Sequence, residues 1–540
     1  MQAKSQPTAR SGSRIPSSVG DDLSRVGMIL TLCFALGSCS GGGSANVMQP
    51  PPATQTLTAA DVTMIVQAAA AAAQSQDMVI AVVDRLGRVL AVYTEVSAPA
   101  MLPGNFGAAI PSDELAVNLA RTGALFSNDQ APLSSRTVRF ISGIHFPPGV
   151  MNSASAALYG IENTNRGCTL APGLAATVPP STTIAGASPG FGIITGKADL
   201  DDTQPEAVNP GGVPIFKNGQ EVGGIGVAAA DSALAEYVAY AGAAMLASGG
   251  PSPATDGVGF PIFPAPGIVS IAGITLPFVN QTSAPSGVTT GTFDPADFTV
   301  GPIAGPGVPP EGNLITTTAG PIGGLSAAEV AQIINNAIAT ANTTRAQIRL
   351  PIGVKAKMVI AVSDLDGTLI GLYRMTDSTI FSIDVAATKA RNVIYFSGTT
   401  RQPADLNQVP MGTAVTNRTI GFGAQPFFPS GIDGTPAGPF FNLYTMDTAN
   451  PCTQGLQVPG AAWPKVNQSG IVFFPGSEPL YKNGVLAGGL GVSGDGVDQD
   501  DYVTAGGAAG FEADPTIRAD QIIIDGVRLP FLKFPRNPTD

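Results

Sequence analysis

The sequence has 540 residues, a formal net charge of −12 and one histidine. Hydrophobic residues make up 44% of the sequence, which also contains 66 glycines and 47 prolines. This combination favours an ordered chain with long irregular loops over a disordered chain. The acidic balance argues against nucleic acid as a partner. Because one hydrophobic core rarely serves so long a chain, two or more domains are expected.

The N-terminal segment has the pattern of an export signal. A polar stretch with three arginines leads into the apolar run 26–37, which has the length of a signal-peptide core and is too short to span a bilayer. The run ends in LGSC, which resembles the lipobox that is cleaved before a lipid-modified cysteine, here Cys39. We therefore predict a signal peptide at residues 1–38, lipidation of Cys39 and a flexible tether at residues 39–56.

The expected location follows from the residues around this site. Removal of residues 1–38 takes away four basic and two acidic residues, which changes the net charge from −12 to −14. Ser40 follows Cys39, and retention in the inner membrane of Gram-negative cells usually needs an aspartate there. We expect an outer-membrane lipoprotein on the periplasmic or cell-surface side, with the membrane as a partner through its anchor. The alternative is an ordinary secretory signal with a chance cysteine.

An internal repeat organises the rest of the chain. Residues 78–93 align without gaps to residues 358–373, with eight identities in sixteen positions. A predicted helix precedes each segment and opens with the same capping pattern, a Thr or Ser followed three residues later by an acidic residue, at Thr58 and Ser326. Repeats of this kind fix domain boundaries without reference to other proteins.

Two further matched segments predict the fold class. PIFKNGQEVGGIGV at 214–227 aligns with PLYKNGVLAGGLGV at 479–492, and the Asn-Gly pair in each is typical of a type I′ hairpin turn. A second helix is predicted in each copy at ARTGALFS, 120–127, and ARNVIYFS, 390–397. Hairpins imply antiparallel pairing, so we predict an α+β protein in which each copy has a mainly antiparallel sheet, packed helices and a long irregular insert.

The repeat sets the predicted boundaries. The first copy covers residues 57–280 and the second covers residues 325–534. Residues 281–324 are rich in Gly, Pro and Thr and are predicted to be a linker, and residues 535–540 form a tail. The two copies are expected to superpose as one domain related by a pseudo-twofold axis.

The ordered combination of motifs in the second copy resembles the GlcG/HbpS family, which also occurs in the C-terminal part of PduO-type proteins. The matching segments are YRMTD at 373–377, KAR at 389–391 and GGLGVSG at 488–494. The resemblance implies a profilin-like fold that self-associates through its helices. For some members it also implies binding of heme or another tetrapyrrole, so heme is the expected cofactor or ligand.

Four charged residues of the second copy are the predicted ligand-binding residues, namely Arg374, Asp384, Lys389 and Arg391. They could line an anionic pocket for propionates or another carboxylate, because three share one predicted helix and Arg374 lies on the preceding strand. The alternative is a set of ion pairs on a helix surface. The first copy has Thr94 and Leu119 in place of Arg374 and Lys389, which places the expected ligand in the second copy.

His145 is the single histidine, which excludes heme ligation by two histidines of one chain and a site with several histidines. It remains a candidate axial ligand of heme iron. Its loop, GIHFPPG, matches QPFFPSG in the second copy, where Phe427 takes its place, so the alternative is an ordinary loop residue. The sequence has no CxxCH motif, which excludes covalently attached c-type heme. It assigns no other metal.

Long inserts separate the second helix from the second hairpin at residues 128–210 and 399–476. They contain Cys168 and Cys452 at matching positions. An exported protein is oxidised, so we predict a disulfide between them, which would bring both inserts to the interface between the copies. The alternative is two separate thiols.

Other motifs favour structural explanations. The string GGIGV at 223–227 lies in strand-like sequence, so close backbone packing is preferred to a phosphate loop. An acidic cluster is formed by Asp495, Asp498, Asp500 and Asp501 and lacks EF-hand spacing, so a solvated surface is preferred to a calcium site.

Two functions remain open at this point. The first is an exported binding protein for heme or a related planar ligand, acting as a carrier, scavenger or sensor input. The second is a structural or interaction module at the outer membrane. No residue is assigned a catalytic role, and the sequence leaves the question of enzymatic activity open.

Overall fold

Two antiparallel sheets of five strands organise the part of the chain that the structure describes. The structure is a computed structural model. It describes residues 54–74, 77–104, 108–161, 182–183, 186–187, 210–247, 250–251, 257–301, 305–450, 452–456 and 469–540. Residues Thr54–Asp540 belong to one compact unit. The predicted signal peptide, Cys39 and nearly all of the tether lie outside the described residues.

The first sheet consists of five strands, which in chain order are β1 Met78–Asp84, β2 Val89–Glu95, β3 Gly212–Lys217, β4 Gln220–Ala229 and β5 Phe298–Val300. Their spatial order is β5-β2-β1-β4-β3, and every neighbouring pair is antiparallel. The turn between β3 and β4 has positive φ angles at Asn218 and Gly219, as the Asn-Gly pattern predicts.

The second sheet repeats this arrangement with β6 Gly312–Ile315, β7 Val359–Ser363, β8 Leu369–Arg374, β9 Ser477–Lys482 and β10 Val485–Ser493. Their order is β6-β8-β7-β10-β9, again antiparallel throughout. Matched motifs of the sequence therefore occupy matched places in the two sheets. The α+β prediction is confirmed, while the profilin-like character of each copy stays a prediction.

Nine α-helices are described within these residues: α1 Ala59–Ala72, α2 Ser112–Phe126, α3 Ser135–Phe140, α4 Ser232–Ala244, α5 Ala327–Ala341, α6 Ser382–Ser397, α7 Asn417–Gly423, α8 Phe441–Ala449 and α9 Val497–Gly507. The predicted capping boxes form at Thr58 of α1 and Ser326 of α5. Short two-stranded ladders flank the sheets at Met101–Gly104 with Ala108–Pro111, at Ser270–Ile271 with Ile274–Thr275 and at Ile523–Ile524 with Val527–Arg528.

Helices cover both faces of each sheet. In β1, Ile80 and Val82 belong to the core under α1 and α4, while Val79 and Ala81 belong to the core under α2. Alternate residues of a strand point to opposite faces, so a strand covered on both sides is apolar along its whole length. The second copy has the same layers, with α5 and α9 on one face and α6 on the other.

Glycines let α2 and α6 lie against the sheets. A Cβ added at Gly226 would lie 2.0 Å from the carbonyl oxygen of Ala116, and one at Gly491 would lie 2.0 Å from that of Ala386. No side chain fits at either position. The glycine strings therefore serve close backbone packing, as the sequence predicts.

The segment 281–324 differs from its prediction as a linker, because its backbone pairs with both sheets. It provides the edge strands β5 and β6. The carboxylate of Asp84 accepts a hydrogen bond from the Gly307 amide at 2.8 Å, and that of Asp364 accepts one from the Gly323 amide at 2.7 Å. Short strands of three or four residues leave little trace in a Gly- and Pro-rich sequence.

The two copies share a hydrophobic core. Residues at the end of α2 pack with the start of α6, and the rings of Phe126 and Phe381 stack with centroids 4.2 Å apart. The inserts also contact each other, since the Tyr159 hydroxyl donates to the Ala424 carbonyl and its ring stacks on Tyr444 at 5.1 Å. The described parts of both copies are thus held together by apolar contacts as well as by the chain.

Candidate functional site

Arg374, at the end of β8, is fully buried and bonded to the protein itself. Its guanidinium donates to the carbonyl oxygens of Ser378 and, at 3.3 Å, of Pro310. The carboxylate of Glu311 lies 3.6 Å away. Burial lowers the pKa of Arg374 to about 9, since the charged form loses hydration. Arg374 ties the β8 end to the turn after it and to the segment before β6.

Lys389, in α6, is also fully buried. Its Nζ donates to the Val492 carbonyl at 2.7 Å and to Oδ2 of Asp500 at 3.0 Å, and it lies 4.9 Å from the centre of the Phe474 ring. Burial lowers the pKa of Lys389, and the Asp500 charge opposes that effect. The ammonium group thus bridges α6, β10 and α9.

Arg391 extends from α6 to the turn of the first hairpin. Its Nε donates to the Gly367 carbonyl at 2.9 Å and its Nη1 donates to Ser469 at 3.0 Å. Arg121, its counterpart in the first copy, donates to the Gly87 carbonyl in the same way at 2.8 Å. Burial lowers the pKa of Arg391 to about 10, opposed by the nearby charge of Asp384. A contact present in both copies indicates a structural role for this arginine.

The four predicted ligand-binding residues therefore lie in the interior, each with at most 3% of its surface exposed. The alternative of a helix-surface set of ion pairs is wrong, because side chains on these faces of α6 and β8 are covered by the sheet and by neighbouring loops. The donors described above are directed at protein carbonyl, hydroxyl and carboxylate oxygens. A role in ligand binding stays a prediction.

A cavity lies where the two copies meet. Its volume is about 30 Å³, which is room for about one or two water molecules, and its walls come from the end of α2, the residue before α6, the first part of the first insert and the start of α9. Apolar side chains dominate the lining: Phe126, Leu133, Ile141, Ala157, Leu158, Ile271, Ile348, Phe381 and Val497. The stacked rings of Phe126 and Phe381 belong to this wall. Small-molecule sites also have mainly apolar linings, but their volumes of roughly 300–1,000 Å³ are much larger than this space.

The polar side chains of the lining are Gln347, Ser493 and Asp500. Burial raises the pKa of Asp500 to about 7, opposed by the charge and the hydrogen bond of Lys389. The second oxygen of this carboxylate, Oδ1, has no hydrogen-bond partner among the described residues. Asp500 is thus the one acidic group of the described lining, and it is only half satisfied by its surroundings.

The acidic cluster around α9 is a set of ion pairs with basic residues. Asp495 binds Arg349, while Asp498 and Asp501 bind Arg418 at 2.6 and 2.5 Å. The prediction of a solvated surface is wrong for Asp495, Asp500 and Asp501, which are buried. Within the described residues, no group of three His, Cys, Asp or Glu side chains could hold a metal ion.

His145 lies in the first insert and is not among the residues that line the cavity. Its Nε2 lies 2.8 Å from Oδ1 of Asp433, and its ring lies against Phe427 with centroids 6.1 Å apart. The same carboxylate accepts a hydrogen bond from the Asn152 amide. These contacts fit the alternative of an ordinary loop histidine, and the role of axial ligand stays a prediction.

The cysteine predictions are tested only in part. Cys452 is disulfide-bonded. Its predicted partner, Cys168, and the predicted lipidation site, Cys39, lie outside the described residues. No helix in the described part of the chain is long and apolar enough to cross a membrane.

Sequence reasoning misses the cavity and its most informative residues. Phe126 and Phe381 are not among the predicted site residues, and Asp500 belongs to a cluster predicted to be solvated. A cavity between two copies has no local sequence pattern, because its walls come from segments far apart in the chain. A weak indication exists for Asp500, since it follows the GGLGVSG motif by only six residues.

The comparison with family models concerns the second copy. Residues 325–509 match the HbpS-like family, described as haem degrading protein HbpS-like. No curated protein matches the chain. A solved PduOC:heme complex is 18% identical and covers 35% of this chain and 96% of its own, with a TM-score of 0.22. The Klebsiella pneumoniae protein ORFY is 17% identical and covers 34% of this chain and 86% of its own, also with a TM-score of 0.22. Residues 325–509 are therefore similar in sequence to the HbpS-like family.

Proposed function

We propose that this protein binds a planar, mainly apolar ligand of the heme class at the apolar junction between its two copies. The observation that carries the place of binding is the lining of the cavity at this junction, in which the stacked Phe126 and Phe381 lie among aliphatic side chains. The match of residues 325–509 to an HbpS-like family supports the class of ligand. Carrier, scavenger and sensor input are the roles such binding would serve.

The lining would have to move apart to admit a ring, because the space it encloses holds about one or two water molecules. Among the described residues of the lining, none is His, Cys, Met or Tyr, which are the usual protein ligands of heme iron. The predicted propionate donors Arg374 and Lys389 are directed at other groups. We therefore assign apolar contact with a planar ring to the side chains of this lining and assign no residue to the iron.

A titration of the purified protein with hemin, followed by its Soret band, tests the proposal. Ala157 lines the cavity, so Ala157→Trp places an indole in the space that the ligand would occupy. We expect saturable binding by the wild type. The affinity of this variant should be about tenfold lower or more, because forcing a bulky side chain into an occupied space costs about 1–3 kcal/mol of free energy. Ala284→Trp is the matched control because Ala284 is exposed and does not belong to the lining. Equal titrations of all three proteins would place any ligand elsewhere.

We also propose that the protein is exported and anchored to the outer membrane by a lipid on Cys39. Support comes from the apolar run 26–37 and the LGSC sequence after it. Cys39→Ser should move the protein from the membrane fraction to the soluble fraction and abolish incorporation of labelled palmitate. The proposed lipid anchor is contradicted if Cys39→Ser fractionates like the wild type and the wild type incorporates no labelled palmitate.

A structural or interaction module is the second candidate. The observation that favours it is the interior position of Arg374, Lys389 and Arg391, whose described hydrogen bonds hold β8, α6, β10 and α9 together. A hemin titration without saturation, together with self-association of the purified protein in sedimentation experiments, would favour this candidate over ligand binding.

A further inference from the structure

The second copy has a longer connection between its first helix and its first long strand than the first copy has. Seventeen residues, 342–358, separate α5 from β7, whereas five residues, 73–77, separate α1 from β1. The longer connection folds back on itself, because Arg345 and Lys355 form an antiparallel bridge. We call residues 344–356 the strap.

The strap lies at the junction between the copies. Gln347 and Ile348 belong to the lining of the cavity there. The side chains of Ile348 and Leu350 pack against the core that both copies share. The amide of Leu350 also donates a hydrogen bond to the carbonyl oxygen of Gln130, in the first copy, at 3.1 Å. The strap is therefore a wall of the junction that contacts both copies.

Arg349, in the middle of the strap, is fully buried and anchors it. Its Nη1 donates to Oδ2 of Asp377 at 2.6 Å, and its Nη2 donates to the Asp377 carbonyl at 2.6 Å. Its Nε donates to the carboxylate of Asp495. Nη1 also lies 3.4 Å from Oε1 of Gln130 in the first copy. One guanidinium group thus joins the strap to three other segments.

Asp377 continues this network into the first copy. Its Oδ1 accepts a hydrogen bond from Nη2 of Arg85 at 2.5 Å. Arg85 in turn contacts Glu221 at 2.5 Å and Asp129 at 3.8 Å. Together with Asp495, four carboxylates therefore lie around two guanidinium groups. Such a buried network depends on every member, because the loss of one cation leaves its partners uncompensated.

We propose that the strap is a lock on the junction between the copies, in which Arg349 holds the walls together and release of the strap opens them. The space between the walls is about 30 Å³, so a planar ring enters only after they move apart. The strap lies outside both sheets and adds two side chains, Ile348 and Leu350, to the shared core. Segments with few apolar contacts open at the lowest free energy, so the strap is the wall expected to move first.

Hydrogen exchange of the backbone amides, followed by mass spectrometry, tests the lock. Arg349→Gln removes the charge of the anchor. It should accelerate exchange about tenfold or more in the strap and in the junction segments 126–133 and 377–381, and leave β7 unchanged. Arg418→Gln is the matched control, because it also removes an arginine that binds two carboxylates of the second copy, here on α9. This control should leave exchange in the strap unchanged.

A second variant keeps the test decisive if Arg349→Gln does not fold. Ile348→Ala removes packing of the strap on the shared core without changing any charge. It should accelerate exchange in the same segments by a smaller factor. Acceleration confined to the strap and the junction supports the lock. Unchanged exchange in the strap, or equal acceleration throughout both sheets, overturns it.

The consequence for ligand binding rests on the proposed function. If the junction takes up a planar ring, the closed strap is an inhibitory contact, and Arg349→Gln should bind hemin about tenfold faster than the wild type in stopped-flow experiments. An unchanged rate in a variant whose strap exchanges rapidly contradicts this inhibitory role. If no protein binds hemin while exchange responds as expected, the proposed function fails and the lock stands.

Discussion

His145 and Phe427, which occupy matching positions in the two copies, lie against each other with ring centroids 6.1 Å apart. Two hydrogen bonds also join their loops. The backbone amide of Asn152 donates to the Asp433 carboxylate, and the backbone amide of Asp433 donates to the side-chain oxygen of Asn152. The paired inserts thus bring matching positions of the two copies into direct contact.

The first prediction concerns the role of this histidine. His145→Phe gives the first copy the residue of the second, so the protein should fold and should keep its hemin titration unchanged, because His145 does not belong to the described cavity lining. The variant loses the contact with Asp433. Ultraviolet–visible titration measures the effect. Disappearance of the Soret shift in a folded variant would instead identify His145 as an axial ligand.

The second prediction concerns the stability contribution of an ion pair in the first copy. The second copy has apolar residues at the two matching positions. Arg85 lies 2.5 Å from Glu221, and the second copy has Leu365 and Leu486 at the matching positions. Arg85→Leu alone leaves Glu221 buried without its main partner and should cost about 3–5 kcal/mol. The double variant Arg85→Leu/Glu221→Leu should recover part of that loss.

Urea unfolding of the two single variants and the double variant measures this coupling, for which we expect about 2 kcal/mol. Arg85 also binds Asp377 of the second copy at 2.5 Å, so recovery should be incomplete. If the loss of unfolding free energy in the double variant equals the sum of the two single losses, the interaction between Arg85 and Glu221 contributes nothing to stability.

The third prediction is a pH dependence at Glu478. Burial raises its pKa from the ordinary glutamate value of 4.5 to about 8, opposed by the charge of Arg518. The folded state therefore binds the proton more tightly than the unfolded state. The stability that this provides is full below pH 4.5 and is lost as the pH rises to about 8. Val213 is the counterpart in the first copy.

Glu478→Val should therefore raise the free energy of unfolding at pH 8.5, by roughly 3 kcal/mol, and have little effect at about pH 4.5. Asp297→Val is the control, since Asp297 is exposed and is not among the charges that shift the pKa of Glu478. Denaturation curves at both pH values measure the difference. A variant that is equally stabilised or destabilised at the two values would show that the Glu478 side chain does not titrate between them.

The fourth prediction concerns the partner of Cys452, which is disulfide-bonded. We expect non-reducing peptide mapping to find it joined to Cys168. Cys168→Ala should then lower the free energy of unfolding by about 2–4 kcal/mol, because the bond restricts the unfolded chain. A peptide map that joins Cys452 to a different cysteine would contradict the predicted bond and the matching of the two inserts on which it rests.

The sequence by itself determined the elements that depend on local chemistry. Thr58 and Ser326 cap their helices because a hydroxyl satisfies free amides at a helix start. The Asn-Gly pairs fix the hairpin turns because those residues tolerate positive φ. The strands of both hairpins followed from the gapless repeat, which also indicated that the two sheets would have matching parts.

Only the tertiary structure decided what these elements do together. The short edge strands of residues 298–300 and 312–315 pair with sheets whose other strands lie far away in sequence, so no local pattern marks them. Burial likewise depends on what covers a helix face, and every residue of α6 is buried. The sequence shows Lys389 and Asp500 only as charged residues on two separate segments. In the tertiary structure they form a buried ion pair beside a cavity whose walls come from both copies.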